Sequence, residues 1–374
     1  MASLKALSVA SASTALIVLG IGETARAETY SPAPIFKDVD SYSTTISANN
    51  DIADIYFPKP SGIKTGKHSF PIALLLQGAN VDKSNYSNFA RTVASYGFVV
   101  VVPNHQKNIP QVGTGLFADT SQIDAVLAQM KAENADPDSP VAGIVNTRKL
   151  GLLGHSQGGA VGLSAIANLC LPFLCEGSFN RPKELVAGAF FGANLRDQTT
   201  QQFIPINNSR IPVALLQGTL DSIALPERAQ ATYEQIQDPP KTLVSILGAN
   251  HYGITNTDNS TGARPDINIP TLAQSVAVET IARWTGLFLR ASILNDKLAF
   301  NYVYSTGDTL DPNVNAIAQT KKKIPEASCK WGSVAFGSGG NISGWAKNRE
   351  IKDTNKADFD INRFSKLTGS TCYR

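Results

Sequence analysis

The amino-acid sequence predicts an α/β fold, a mainly parallel sheet with helices on both of its faces. Two observations carry that reading. Short runs between about residues 70 and 290 are apolar at every position rather than at every second one, which is how strands covered on both faces read. Between those runs, apolar residues recur at helical spacing, and alternation of the two kinds is the mark of parallel strands joined by crossover helices.

Taken in order, Asp51–Phe57 (DIADIYF) alternates and is predicted as an antiparallel edge strand. Ile72–Leu76 (IALLL), Phe98–Val102 (FVVVV), Leu150–Leu153, Val186–Phe191, Val213–Gln217 and Leu243–Leu247 are predicted as buried strands. Ile123, Val126, Leu127 and Met130 make one helical stripe, and Ala277, Ile281, Trp284 and Phe288 another; both are expected to face the core. Gly159–Leu169 is a further helix candidate. Beyond about Thr306 the texture changes to turn-like segments, among them Asp311-Pro312-Asn313 and Gly337-Ser338-Gly339-Gly340. The chain is therefore expected to consist of a main domain over 28–306 and a C-terminal extension over 307–374.

The 374 residues suffice for a substantial core, and 43% hydrophobic with 17% charged residues is an ordinary globular composition. A formal charge of +3 is too small at this length to suggest nucleic-acid binding, and the short basic run Lys321–Lys323 reads as a solvated loop. At the start, Lys5 precedes an apolar, acid-free segment from Ala6 to Gly22, followed by Ala25-Arg26-Ala27. That order predicts a secretory signal peptide over 1–27, cleaved after Ala27. The strongly apolar part, Ala15–Ile21, is short for a membrane span, so export is expected without a stable anchor. All four cysteines, Cys170, Cys175, Cys329 and Cys372, lie beyond that point. An even number in an exported chain suggests disulfides; three pairings are possible, and proximity favours Cys170–Cys175 with Cys329–Cys372. Neither pair has the spacing and histidine company of a zinc site, and no metal or cofactor is expected.

Gly154-His155-Ser156-Gln157-Gly158 fits G-x-S-x-G between a predicted strand and a predicted helix. In that context a sharp turn presents the serine hydroxyl at the sheet edge, and the helix N-terminus behind it offers N–H groups to a developing negative charge. Ser156 is thus the candidate nucleophile. Of the four histidines, His155 lies within the turn and is expected to pack away from Ser156, and His68 lies in a polar loop. His105 and His251 each follow a predicted strand. Catalytic groups of open parallel sheets gather at that edge, and the chain order serine, acid, histidine selects His251 as the base. Asp221, just past Val213–Gln217, is the favoured acid over Asp197, Asp238 and Asp258, which have no strand directly before them. The turn Gln77-Gly78-Ala79-Asn80 follows Ile72–Leu76, so the Ala79 and Gln157 N–H groups are the candidate oxyanion hole, with a plain turn as the alternative reading of that stretch.

In order, LLLQGANV (Leu74–Val81), ASYGFVVVVPNH (Ala94–His105), GHSQGGAV (Gly154–Val161), TLDSIALPE (Thr219–Glu227) and LGANHYGIT (Leu247–Thr255) resemble an α/β-hydrolase of the cutinase, polyester-hydrolase and chlorophyllase-like group. The resemblance covers about residues 45–300. It implies an α/β-hydrolase fold in which Ser156 attacks an ester carbonyl, His251 carries the proton, Asp221 orients His251, and Ala79 with Gln157 holds the oxyanion. Polyester hydrolases of the group usually carry an aromatic residue where this chain has Ala79, and a tryptophan where it has Gly192-Ala193-Asn194-Leu195. Chlorophyllases would carry His for Gln77 and Arg for Gln157. The expected activity is that of an exported serine esterase acting on a small-molecule or polymeric ester. A transacylase on the same residues and a catalytically silent binding protein are the alternatives.

Overall fold

The computed structural model describes residues 33–59, 69–110, 112–197 and 199–321. The expected signal peptide, His68, Cys329, Cys372 and most of the expected extension lie outside the described residues.

The chain opens with β1 (Val39–Ile46), β2 (Asp51–Pro58) and β3 (Phe70–Leu76), then α1 (Ser87–Ser95) and β4 (Val99–Asn104). A small hairpin, β5 (Gln106–Ile109) and β6 (Gly113–Leu116), leads into α2 (Ser121–Ala135), β7 (Val145–His155), α3 (Gln157–Ile166) and β8 (Leu185–Phe191). Next come β9 (Val213–Gly218), α4 (Pro226–Gln235), β10 (Lys241–Ile246) and α5 (Gln274–Ile293). Two short helices, α6 (Lys297–Asn301) and α7 (Gly307–Leu310), precede β11 (Val314–Gln319).

Nine strands form one sheet in the order β1-β2-β4-β3-β7-β8-β9-β10-β11, and β5 pairs only with β6. The six strands from β4 to β10 in that order are mutually parallel. The outer pairs β1–β2, β2–β4 and β10–β11 are antiparallel. Each buried strand read from the sequence is present. The expected edge strand Asp51–Phe57 is antiparallel as anticipated but is not at the edge: β1 lies outside it, along its whole length. The segment of β1 reads VDSYSTTI, mostly polar and exposed, so it lacks the apolar signal that marks an inner strand. At the opposite side β11, within the expected extension, pairs with β10 as the other edge.

Two apolar layers explain why the inner strands are apolar throughout. Ala73 and Leu75 of β3 face one core with Phe89 and Val93 of α1 and Ile281, Trp284 and Phe288 of α5. Ile72, Leu74 and Leu76 face the other, with Ile123 and Met130 of α2, Val161 of α3 and Tyr233 of α4. Successive residues of a strand point to opposite faces, and here both faces are covered. Both helical stripes are therefore core stripes. Burial of each large side chain contributes about 1.5–3 kcal/mol, so the helices are held mainly by these faces.

From β3 the chain goes to β4 on one side, then returns past β3 and proceeds from β7 to β10 on the other. The carboxyl ends of β3 and β7 therefore flank a topological switch point, where open parallel sheets have their crevice. Among the described residues no helix is long and apolar enough to cross a membrane. Cys170 and Cys175 form a disulfide.

Candidate active site

The β7–α3 junction turns within a single residue. Ser156 has φ 53° and ψ −120°, a conformation costly for a residue with a side chain. Close packing sustains it. A β-carbon on Gly158 would lie 2.2 Å from the Leu76 carbonyl oxygen, and one on Gly154 would lie 2.7 Å from the Gly158 carbonyl oxygen. The end of β3 can therefore cross the start of α3 only over bare backbone. Ser156 N–H donates to Phe191 O at the end of β8 (3.0 Å), so the turn is also tied to the next strand.

Two strand ends further along the sheet meet next to this turn, where the rings of His155 and His251 lie 4.8 Å apart. His251 Nδ1 lies 2.7 Å from Asp221 Oδ2, and both residues are buried. Asp221 has three further donors: Gln217 Nε2 shares Oδ2 (3.1 Å), while Ile223 N–H (2.9 Å) and Ala224 N–H (2.7 Å) reach Oδ1. A carboxylate so surrounded has a fixed orientation. The pair adjoins β8, since a β-carbon on Gly192 would lie 3.1 Å from both Asp221 Oδ2 and His251 Nδ1.

After β3, Gly78 N–H donates to Tyr86 Oη (2.9 Å), Val81 N–H to Gly78 O (3.1 Å) and Asn80 N–H to Leu116 O (2.7 Å). Among the described residues no acceptor is bonded to Ala79 N–H. Gln157 is the first residue of α3, where a backbone N–H has no partner within the helix. Its side chain grips one peptide of the neighbouring segment: Oε1 accepts from Ala118 N–H and Nε2 donates to Ala118 O, both at 2.9 Å.

The chlorophyllase family model matches residues 33–171, which contain Ala79, Ser156 and Gln157 but end before Asp221 and His251. Chlorophyllase-1, chloroplastic, of Citrus sinensis is 32% identical over 105 residues, which is 27% of this chain and 31% of the relative. Its counterpart in Citrus unshiu is 31% identical over 105 residues. The chain thus spans about a third of the length of the curated relatives it matches. The chain has the α/β-hydrolase fold and is similar to the chlorophyllases over part of its length.

Within this fold the other candidates serve elsewhere. His105 Nδ1 lies 3.0 Å from each oxygen of Asp51 on β2. Asp197 caps the turn at Thr199 and Thr200. Asp238 receives the Arg210 N–H, and Asp258 receives Asn250 Nδ2. His155 is fully buried and directed into the core, as expected, with its ring 4.8 Å from that of His251. Burial, and after it the neighbouring His251, hold its pKa well below the ordinary value of 6.5.

Several residues around the site had no signal in the sequence. Asp266 lies in the loop beyond His251, and its Oδ2 accepts His251 N–H (2.9 Å) while Ser222 and Asn268 bond its carboxylate. Burial alone would raise its pKa, but the Ser222 hydroxyl and the His251, Asn268 and Ser222 amides together hold it below the usual carboxylate value. Asp266 thus ties the segment after Asp221 to the backbone of His251. The β5–β6 hairpin was equally silent. Leu116 both accepts from Asn80 N–H and donates to Asn80 Oδ1 (3.0 Å), and the segment two residues later carries the Gln157 clamp. One short stretch, 116–118, therefore braces the neighbour of Ala79 and the side chain of Gln157.

Proposed function

We propose that this protein is an exported serine hydrolase that cleaves carboxylic esters through an acyl-enzyme, with Ser156, His251 and Asp221 as its triad. The observation that carries the reading is the 2.7 Å contact between His251 Nδ1 and Asp221 Oδ2 beside the strained Ser156 turn. With Nδ1–H held by the carboxylate, His251 Nε2 is the basic nitrogen. It takes the Ser156 Oγ proton as Oγ attacks the ester carbonyl, and Asp221 stabilises the resulting imidazolium. The Ala79 and Gln157 N–H groups receive the oxyanion, where preorganised donors favour the transition state over the planar ester. Collapse breaks the ester C–O bond, and His251 returns the proton to the departing alcohol. Water then repeats the sequence, releasing the acid and restoring Ser156. None of these steps calls on a metal or cofactor.

Export is supported by the signal-like N-terminal segment and by the Cys170–Cys175 disulfide, a bond typical of oxidising compartments. We take 28–306 as the hydrolase domain and 307–374 as an extension that supplies the last strand. A second disulfide, Cys329–Cys372, is proposed for that extension. The test is hydrolysis of 4-nitrophenyl butyrate by the wild type and Ser156→Ala. Ser156→Ala is expected to lose about 10⁴-fold or more in kcat, with KM little changed. Equal rates would remove Ser156 from the mechanism.

A further inference from the structure

We propose that Tyr86 and His155 are positioning residues that lock the oxyanion turn to the general base through one buried chain of hydrogen bonds. This rests on the esterase reading above and names residues which that reading does not use.

The chain has three links. Gly78 N–H donates to Tyr86 Oη, Tyr86 Oη meets His155 Nδ1, and His155 Nε2 meets the His251 carbonyl oxygen, each at 2.9 Å. Tyr86 and His155 are fully buried. With His155 neutral, as its burial favours, only one arrangement of protons satisfies every link. A carbonyl oxygen can only accept, so Nε2 of His155 carries the proton. Neutral His155 then presents a bare Nδ1, which the Tyr86 hydroxyl must donate to, and the lone pair of Tyr86 Oη receives Gly78 N–H. Gly78 is part of the device, because a β-carbon there would stand 2.7 Å from His155 Nδ1. Burial favours the neutral form of His155, and no second positive charge opposes the imidazolium that forms at His251 in turnover.

Both ends of the chain terminate on backbone that positions a reacting group. At one end, Gly78 O accepts Val81 N–H, and the planar trans peptide directs Ala79 N–H the opposite way. At the other, His251 is held through its carbonyl by His155, through its N–H by Asp266 and through Nδ1 by Asp221. The separation between the oxyanion donor and the base is therefore set by a rigid, fully paired core element. Side chains that merely filled space would have no reason to end on these two backbones.

The test uses the intact protein with Tyr86→Phe, His155→Gln and the double variant, assayed on 4-nitrophenyl butyrate beside fluorophosphonate labelling. Tyr86→Phe is expected to lose roughly tenfold in kcat, with KM within about twofold, because misplacement by a fraction of an ångström affects the transition state more than binding. The double variant should lose no more than the worse single one, since either change breaks the same chain. A Tyr86→Phe enzyme that melts earlier but keeps its kcat would overturn the proposal, as would losses that multiply. A wild type that neither hydrolyses the ester nor takes the label removes the esterase reading, and this proposal with it. Should the variants fail to fold, nitrogen-15 NMR of the wild-type histidines decides. The Nε2–H tautomer is expected for His155, and an Nδ1–H tautomer contradicts the chain.

Discussion

His155 shows how much a single buried side chain can decide. The sequence places it in the turn before Ser156 and reads it as packing, yet both of its ring nitrogens are engaged, and its ring lies against His251, Tyr86, Tyr252 and Phe191. Its folded pKa is depressed, so between the ordinary value near 6.5 and the lower folded value the unfolded chain binds a proton that the folded chain refuses. The stability it contributes is full above about pH 6.5 and declines as pH falls. Urea unfolding between pH 7.5 and 5.5 should therefore show a loss from this residue approaching about 1.4 kcal/mol per pH unit below that point. His155→Gln should lack this part of the slope; an unchanged slope would contradict a neutral buried imidazole. The partners of His155 were not legible because a lone histidine in a glycine-rich turn says nothing about which loops close over it.

At the scale of elements, strand ends were legible and loop contacts were not. Continuous apolar runs fix where β3, β7, β9 and β10 stop, and Ala79, Ser156, Asp221 and His251 follow those stops closely. The hairpin β5–β6 carries no such signal, because QKNI and GTGL are short and mostly polar. Its value lies in tertiary bonds, above all the reciprocal pair between Asn80 and Leu116. Asn80→Ala removes the side-chain half of that pair. The expected cost is about 1 kcal/mol of stability and a larger proportionate loss of kcat, roughly tenfold, since the Ala79 N–H loses its brace. Thermal melts and steady-state kinetics on the same preparation check both parts. Full kcat in Asn80→Ala would show that the hairpin does not steady the turn.

Across the whole molecule, the sheet extends further than the change in sequence texture suggests. Asp311 sits in a segment that reads as a turn, but its buried Oδ2 accepts from Arg283 Nη1 (2.7 Å) and Trp284 Nε1 (2.8 Å) of α5. That junction fastens the start of β11 to the core helix, so residues to Gln319 fold with the sheet. The segment's proline and asparagine hid this, because turn chemistry and a buried anchor can share the same three residues. Asp311→Ala leaves Arg283 and Trp284 without this acceptor and should cost about 3 kcal/mol, read by urea denaturation. A loss under about 0.5 kcal/mol would mean that β11 is a peripheral addition.

The central claim is that the Ser156 hydroxyl is made nucleophilic by groups gathered from three strand ends. Its most direct test is a fluorophosphonate reaction on the folded wild type, followed by peptide mapping of the adduct. Stoichiometric modification at Ser156, greatly slowed in His251→Ala, is the expected result. Folded protein that remains unmodified, or that carries the adduct on another residue, would contradict it.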